Sequence, residues 1–300
     1  MAAVDAVRNR GDAEPPAATT TELEDRDALS AQVEALGVRG ELLVYGDGCR
    51  VRRLELPSLE WTGDDASGCG PQGVVSPDGS AVARCAGDVT EVLAAVGGPV
   101  AYTVRGCIPA WRPDGTLTFA RDNEVVRHGG NVLIPRAQLE RAARRHPTVP
   151  DIPVRVRALV DGIAWISDTR AAVLLSIRIG GRLDRLGPLS AIAFFENGYA
   201  TSARPYLGDT GGQLDVSPRG TFVTMTRDVI LRRDGSQVSL PPHLREGHAF
   251  AWSDNERFLA IATPFAVTIV DVTSLARFDR IGSGLRSVTL PLSVTELAWR

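Results

Sequence analysis

The chain has 300 residues, a formal net charge of −3, 44% hydrophobic residues, 30 glycines and 19 prolines. That length can bury a sizeable core as one domain, and the turn-rich composition suits an all-β protein. No apolar run approaches the ~18 residues that a membrane-spanning helix needs, and no apolar core marks residues 1–20 as a signal peptide.

Residues 1–20 have little to bury and read as a linker. A short helix follows: Thr21 and Glu24 have capping-box spacing, and Leu29, Val33 and Leu36 share a face before Gly37 ends the pattern. Packing of this helix against the rest of the chain is favoured over a free stalk. Residues 1–35 hold eight acids against three arginines, which leaves the remainder at about +2. Nonspecific binding to nucleic acid depends on many phosphate contacts, so none is expected. All 33 basic residues are arginine, which excludes a lysine Schiff base or lysine general base.

Cys49, Cys69, Cys85 and Cys107 fall within 59 residues without any CxxC pair. The spacing does not match a zinc site, and the even count predicts two disulfides, most simply Cys49 with Cys69 and Cys85 with Cys107, among three possible pairings. Four buried thiols in a cytosolic protein are the alternative. Disulfides place a domain outside the cytoplasm, so the reading is periplasmic, cell-envelope or secreted, with an export signal or membrane anchor upstream of Met1.

The organising unit is Trp111–Arg127, WRPDGTLTFARDNEVVR: an apolar strand, a Pro-Asp-Gly turn, an alternating strand, a second turn and a third strand. Related copies begin at Val75, Trp111, Trp165, Val216 and Trp252, spaced 36, 54, 51 and 36 residues apart. These spans are at or above that of a four-stranded propeller blade. On these residues the chain resembles the TolB-type, WD-like family of β-propellers over roughly residues 38–300. The resemblance implies a propeller fold and, since such propellers serve mostly as binding platforms, a noncatalytic role. Thr295–Arg300 reads as a first strand and Gly40–Leu56 as a second and third, so the two ends together build one blade and close the ring. The expected fold is therefore all-β: a six-bladed β-propeller of four-stranded antiparallel blades, closed by strands from both termini, with one inserted helix. Residues 1–37 form an acidic linker with a short helix, and residues 38–300 the propeller.

Along the ring, Pro135–His146 predicts the inserted helix, with Leu139, Ala142 and Ala143 as its apolar stripe and Glu140 placed to pair with Arg144. Its outer face carries Arg136, Arg141, Arg144 and Arg145. A solvated face is the plainer reading, and a docking surface for an acidic partner or carboxylate the functional one. The hairpin Ala191–Phe195 and Tyr199–Arg204, turned at Asn197-Gly198, reads as the outer part of blade four, or else as the start of a seventh blade.

Signatures with a mechanism are missing: there is no HExxH, GxSxG, phosphate loop or EF-hand spacing. His243 and His248 share a loop and could ligate a metal, but read as an ordinary polar connection. Asp78, Asp114, Asp168 and Asp254 recur in the turns and are expected to accept backbone N–H groups. Asp47, Asp64 and Asp65 could hold calcium, a minor alternative. Trp111, Trp165, Trp252 and Trp299 take matching positions and are expected to pack between blades, whereas Trp61 falls outside the register. The resulting expectation is a monomeric binding platform for a protein or peptide-like ligand, without cofactor or metal. The alternative is a propeller hydrolase or lyase with its site at one mouth of the channel.

Overall fold

The computed structural model describes residues 20–46, 50–65, 73–94, 98–149, 154–180, 189–206, 214–225, 229–232, 236–244, 247–263, 265–274, 285–292 and 296–299. After helix α1 (Thr20–Leu36), blade one holds β1 (Gly40–Gly46), β2 (Arg50–Leu56) and β3 (Trp61–Asp65). Blade two holds β4 (Val74–Val75), β5 (Val82–Ala86), β6 (Val89–Leu93) and β7 (Val100–Arg105). Blade three holds β8 (Cys107–Trp111), β9 (Leu117–Arg121), β10 (Glu124–Arg127) and β11 (Val132–Ile134). Helix α2 (Arg136–Ala143) then leads into blade four, with β12 (Val156–Trp165), β13 (Arg170–Ile179), β14 (Leu189–Glu196) and β15 (Tyr199–Tyr206). Blade five holds β16 (Leu214–Val216), β17 (Phe222–Met225), β18 (Val229–Arg232) and β19 (Gln237–Ser239). After a 3-10 turn at Pro242–Leu244, blade six holds β20 (Ala249–Trp252), β21 (Phe258–Thr263), β22 (Ala266–Asp271) and β23 (Ser287–Leu290).

The last strand, β24 (Glu296–Trp299), pairs antiparallel with β1, so blade one is completed from the far end of the chain. Each of the six sheets has four strands, all paired antiparallel. The Asn197-Gly198 hairpin belongs to blade four, and no seventh sheet occurs among the described residues. Both turn residues have positive φ, and the backbone carbonyl of Leu133 lies where a Cβ on residue 198 would be, so only glycine fits there.

Apolar residues on successive blades meet in layers. Leu117 and Phe119 pack against Ala83 and Val92 of blade two; Ala110 and Val125 join Ile163 and Val173 of blade four. Leu174 and Phe194 meet Leu214 and Val223 of blade five, and Ile230 and Val238 meet Leu259 and Ile261 of blade six. Blade six packs in turn on blade one, with Val33 and Leu36 of α1 in the same layer. β13 and β14 are buried on both faces, which explains why Ala171–Leu175 is apolar throughout. Six antiparallel sheets stacked in this order make a six-bladed β-propeller.

Candidate functional site

The repeated turns lie at the inner-to-second-strand corner of each blade. Gly79, Gly115 and Gly220 end their turns at positive φ and donate to the carbonyls of Ser76, Arg112 and Ser217 at 2.8–2.9 Å. Asp78 accepts from the Ser76 hydroxyl at 2.6 Å and from the backbone and hydroxyl of Ser80, which hold its pKa down to about 2. Asp114 accepts from the Thr116 backbone at 2.9 Å and pairs with Arg112 at 3.2 Å.

Elsewhere the turns are stitched blade to blade. Asp168 of blade four accepts from the backbone N–H of Asp114 in blade three at 3.2 Å, and Arg112 donates to the Asp168 carbonyl while lying over the Trp165 ring. Blade five has Arg219 where other copies have Asp, and the missing acceptor comes from blade six. The Glu256 carboxylate takes the Ser217 hydroxyl at 2.6 Å and the Arg219 and Thr221 N–H groups. Burial pushes the Glu256 pKa up, but these hydrogen bonds outweigh it and the net shift is downward. In blade six the expectation for Asp254 is corrected: Asn255 is the aligned residue and accepts from Ser253 and from the Arg257 backbone, both at 2.9 Å.

Two further carboxylates break the repeat. The residue two places before the turn serine or its equivalent is Val74, Ala110, Ala164 and Ala251 in four blades, but Asp215 in blade five. Asp215 stands on the innermost strand, exposed to solvent yet walled by protein. Desolvation pushes its pKa up to about 6 against a hydrogen bond from the Val216 N–H. Asp161 occupies a bulge where the β12 register shifts between Val160 and Gly162. It accepts from the Ser176 hydroxyl, and burial raises its pKa against that bond and the charge of Arg178. A Cβ on Gly162 would lie 3.3 Å from the Leu214 side chain, so Asp161 and Asp215 adjoin a contact between neighbouring inner strands. Neither acid belongs to a catalytic motif; for Asp215 the available signal is the repeat register, and for Asp161 there is none in sequence.

The inserted helix buries Leu139, Ala142 and Ala143 and turns its arginines outward. Glu140 pairs with Arg136 at 2.9 Å, not with Arg144. Arg144 instead donates to the Val154 carbonyl at 3.0 Å, which draws it away from Glu140. Arg141 and Arg145 are exposed and have no ion pair among the described residues.

Cys85 of β5 is bonded to Cys107 of β8, a staple between blades two and three, whereas Cys49 and Cys69 lie outside the described residues. Trp111 and Trp165 each donate to the preceding blade, to the Val74 carbonyl at 2.9 Å and the Thr118 hydroxyl at 2.8 Å. Trp252 stacks on Phe222 of blade five at 5.0 Å. The matched tryptophans are thus joints between blades. Among the described residues no group of three His, Cys, Asp or Glu is placed to share a metal ion; Asp47 lies outside them. No described helix is long and apolar enough to cross a membrane.

No family model and no curated protein matches the sequence. Among solved structures, hydrazine synthase of Kuenenia stuttgartiensis superposes with a TM-score of 0.46 at 15% identity, over 84% of this chain and 83% of the other. A 6-phosphogluconolactonase-like protein of Bacteroides fragilis gives 0.45 at 11% identity, over 87% and 98%. The dihydro-heme d1 dehydrogenase NirN gives 0.37 at 13% identity, over 78% and 52%. At these similarities nothing about ligand or activity passes to this chain. The class defined by its own sheets is a six-bladed propeller.

Proposed function

We propose that this propeller is a noncatalytic binding platform of the TolB-like kind, working outside the cytoplasm, with residues 38–300 as the platform and residues 1–37 as an acidic leading segment. The observation that carries the reading is the ledge on α2. Arg141 lies in the last turn of a helix whose underside is buried, and Arg145 in the turn that follows, next to the Arg144 tie to Val154, so two exposed guanidinium forks are presented side by side. Arg136 is neutralised by Glu140, whereas Arg144, bonded to a neutral carbonyl, extends the positive field around them. The partner is an acidic protein or peptide.

The test is a titration of the full chain with a fluorescein-labelled peptide of alternating Glu and Asp. Charge reversal at Arg141 and Arg145 is expected to weaken binding by tenfold or more, and unchanged affinity refutes the ledge. The Cys85–Cys107 bridge supports an oxidising compartment. Thiol titration of the unreduced, denatured protein from its native source is expected to find no free thiol, and four reactive thiols would remove the compartment assignment.

Asp161 and Asp215 favour one second reading, a hydrolase or lyase whose acid and base stand on neighbouring inner strands. Both carboxyls have raised pKa values, and neither position follows the repeat. A loss of activity toward a substrate in Asp161→Asn and Asp215→Asn, with the fold intact, would favour it.

A further inference from the structure

Trp61 stands outside the repeat register that the other four tryptophans share. It is 37% exposed, with the Arg52 guanidinium over its ring at 4.2 Å. It lines a cleft of about 260 Å³ between α1 and the seam of blades one and six, together with Leu29, Leu54, Leu59 and Leu292. Leu59 reaches the wall of this cleft from a backbone with φ of 56° and is itself buried. A leucine in the left-handed region costs about 1 kcal/mol or more, and such outliers gather at ligand clamps. The backbone is held there by hydrogen bonds from Leu59 N–H to Glu55 O and from Glu55 N–H to Glu60 O.

Two charged residues line the cleft, Asp25 and Arg26, and the positive Arg52 guanidinium covers part of the Trp61 ring. Arg26 is neutralised by Glu60 at 3.1 Å. Asp25, beside it and also lining the cleft, is exposed and has no ion pair among the described residues. Asp27 and Glu34, on the same helix, are exposed as well. The volume is slightly below the range of ~300–1,000 Å³ typical of small-molecule sites, so it suits one ring and a short chain.

We propose that this cleft binds a small organic cation, an ammonium carried on an aromatic or branched apolar body. The body lies against Trp61 and the leucines, and the charge meets Asp25. This site is separate from the α2 ledge and stands whether or not that surface binds an acidic partner.

The test uses 2-phenylethylamine, an ammonium ion at pH 7, titrated into the ¹⁵N-labelled full chain while the five tryptophan indole N–H signals are followed. Trp61→Phe assigns the signal of interest, and 3-phenylpropanoate serves as the anion of similar size. The expected result is a saturable shift confined to the Trp61 indole, with affinity at least tenfold above that of the carboxylate. Asp25→Asn, a change at an exposed helix position, is expected to reduce that preference to less than threefold. A shift shared equally by all indoles, a preference for the carboxylate, or a preference unaltered in Asp25→Asn overturns the proposal.

Discussion

Leu42 of β1 lies directly opposite Trp299 of β24, and through this pairing the end of the chain supplies the innermost strand of the blade that its beginning opened. Leu42 is fully buried in the layer shared by blades one and six. Leu42→Ala is expected to cost about 2–5 kcal/mol, the range for a buried leucine that leaves a cavity. Ending the chain after Leu292 removes β24, leaves β1 with an open edge, and is expected to cost more and to promote association. Urea unfolding and sedimentation of the two variants check this; a truncated chain as stable and monomeric as the parent would show that β24 is dispensable.

The tryptophan joints differ in a way that mutagenesis can read. Trp165 Nε1 donates to the Thr118 hydroxyl, whereas Trp252 Nε1 is buried with no partner among the described residues. Replacement by phenylalanine removes similar bulk at both places but a hydrogen bond only at the first. Trp165→Phe is therefore expected to be the more destabilising by about 1–2 kcal/mol. Equal costs in denaturant melts would mean that the indole bond contributes nothing to the junction.

Glu256 holds two jobs at once. It ends its turn at φ of 58°, where three aligned copies use glycine, and its buried carboxylate serves the turn of blade five. Glu256→Ala keeps the backbone cost and loses the acceptor, for an expected loss of about 2–4 kcal/mol. Glu256→Gly loses the same acceptor but relieves the backbone, so it should be the milder change by about 1 kcal/mol, reversing the usual order of alanine and glycine. Alanine proving milder in chemical denaturation would contradict this account of the turn.

These placements separate what the residue pattern reveals from what it hides. Six sheets, the terminal closure and the Asn197-Gly198 hairpin in blade four are legible because each depends on local turn chemistry and period-2 alternation, repeated around the ring. The bulge that displaces Asp161 arises from how β12 must run against β13, and no nearby residue type announces it. Glu256 reaching Ser217 joins residues 39 positions apart, and Trp61 gains its setting only when α1 folds across the seam. Glu140 had two arginines at helical spacing, and Arg136 is its partner because Arg144 is drawn to the Val154 carbonyl.

Asp215 sets a pH dependence of definite sign. Its folded pKa, about 6, lies above the ordinary 3.8, so the folded state binds the proton more tightly than the unfolded chain does. The contribution to stability is full below 3.8 and is lost as pH rises through about 6. Melting temperatures of the parent minus those of Asp215→Asn should therefore fall across that window; a flat difference would mean that the carboxyl is not desolvated. Glu256, shifted the other way, contributes above the ordinary carboxylate range and loses its contribution in acid.

The platform reading and the catalytic reading rest on different residues, and one comparison separates them. The acidic peptide is titrated into the parent, into the Arg141→Glu, Arg145→Glu double variant and into the Asp161→Asn, Asp215→Asn double variant, at low and at physiological salt. Binding that weakens with salt, is lost by at least tenfold in the arginine variant and is unchanged in the aspartate variant is the result predicted here. Binding that ignores the arginines contradicts it.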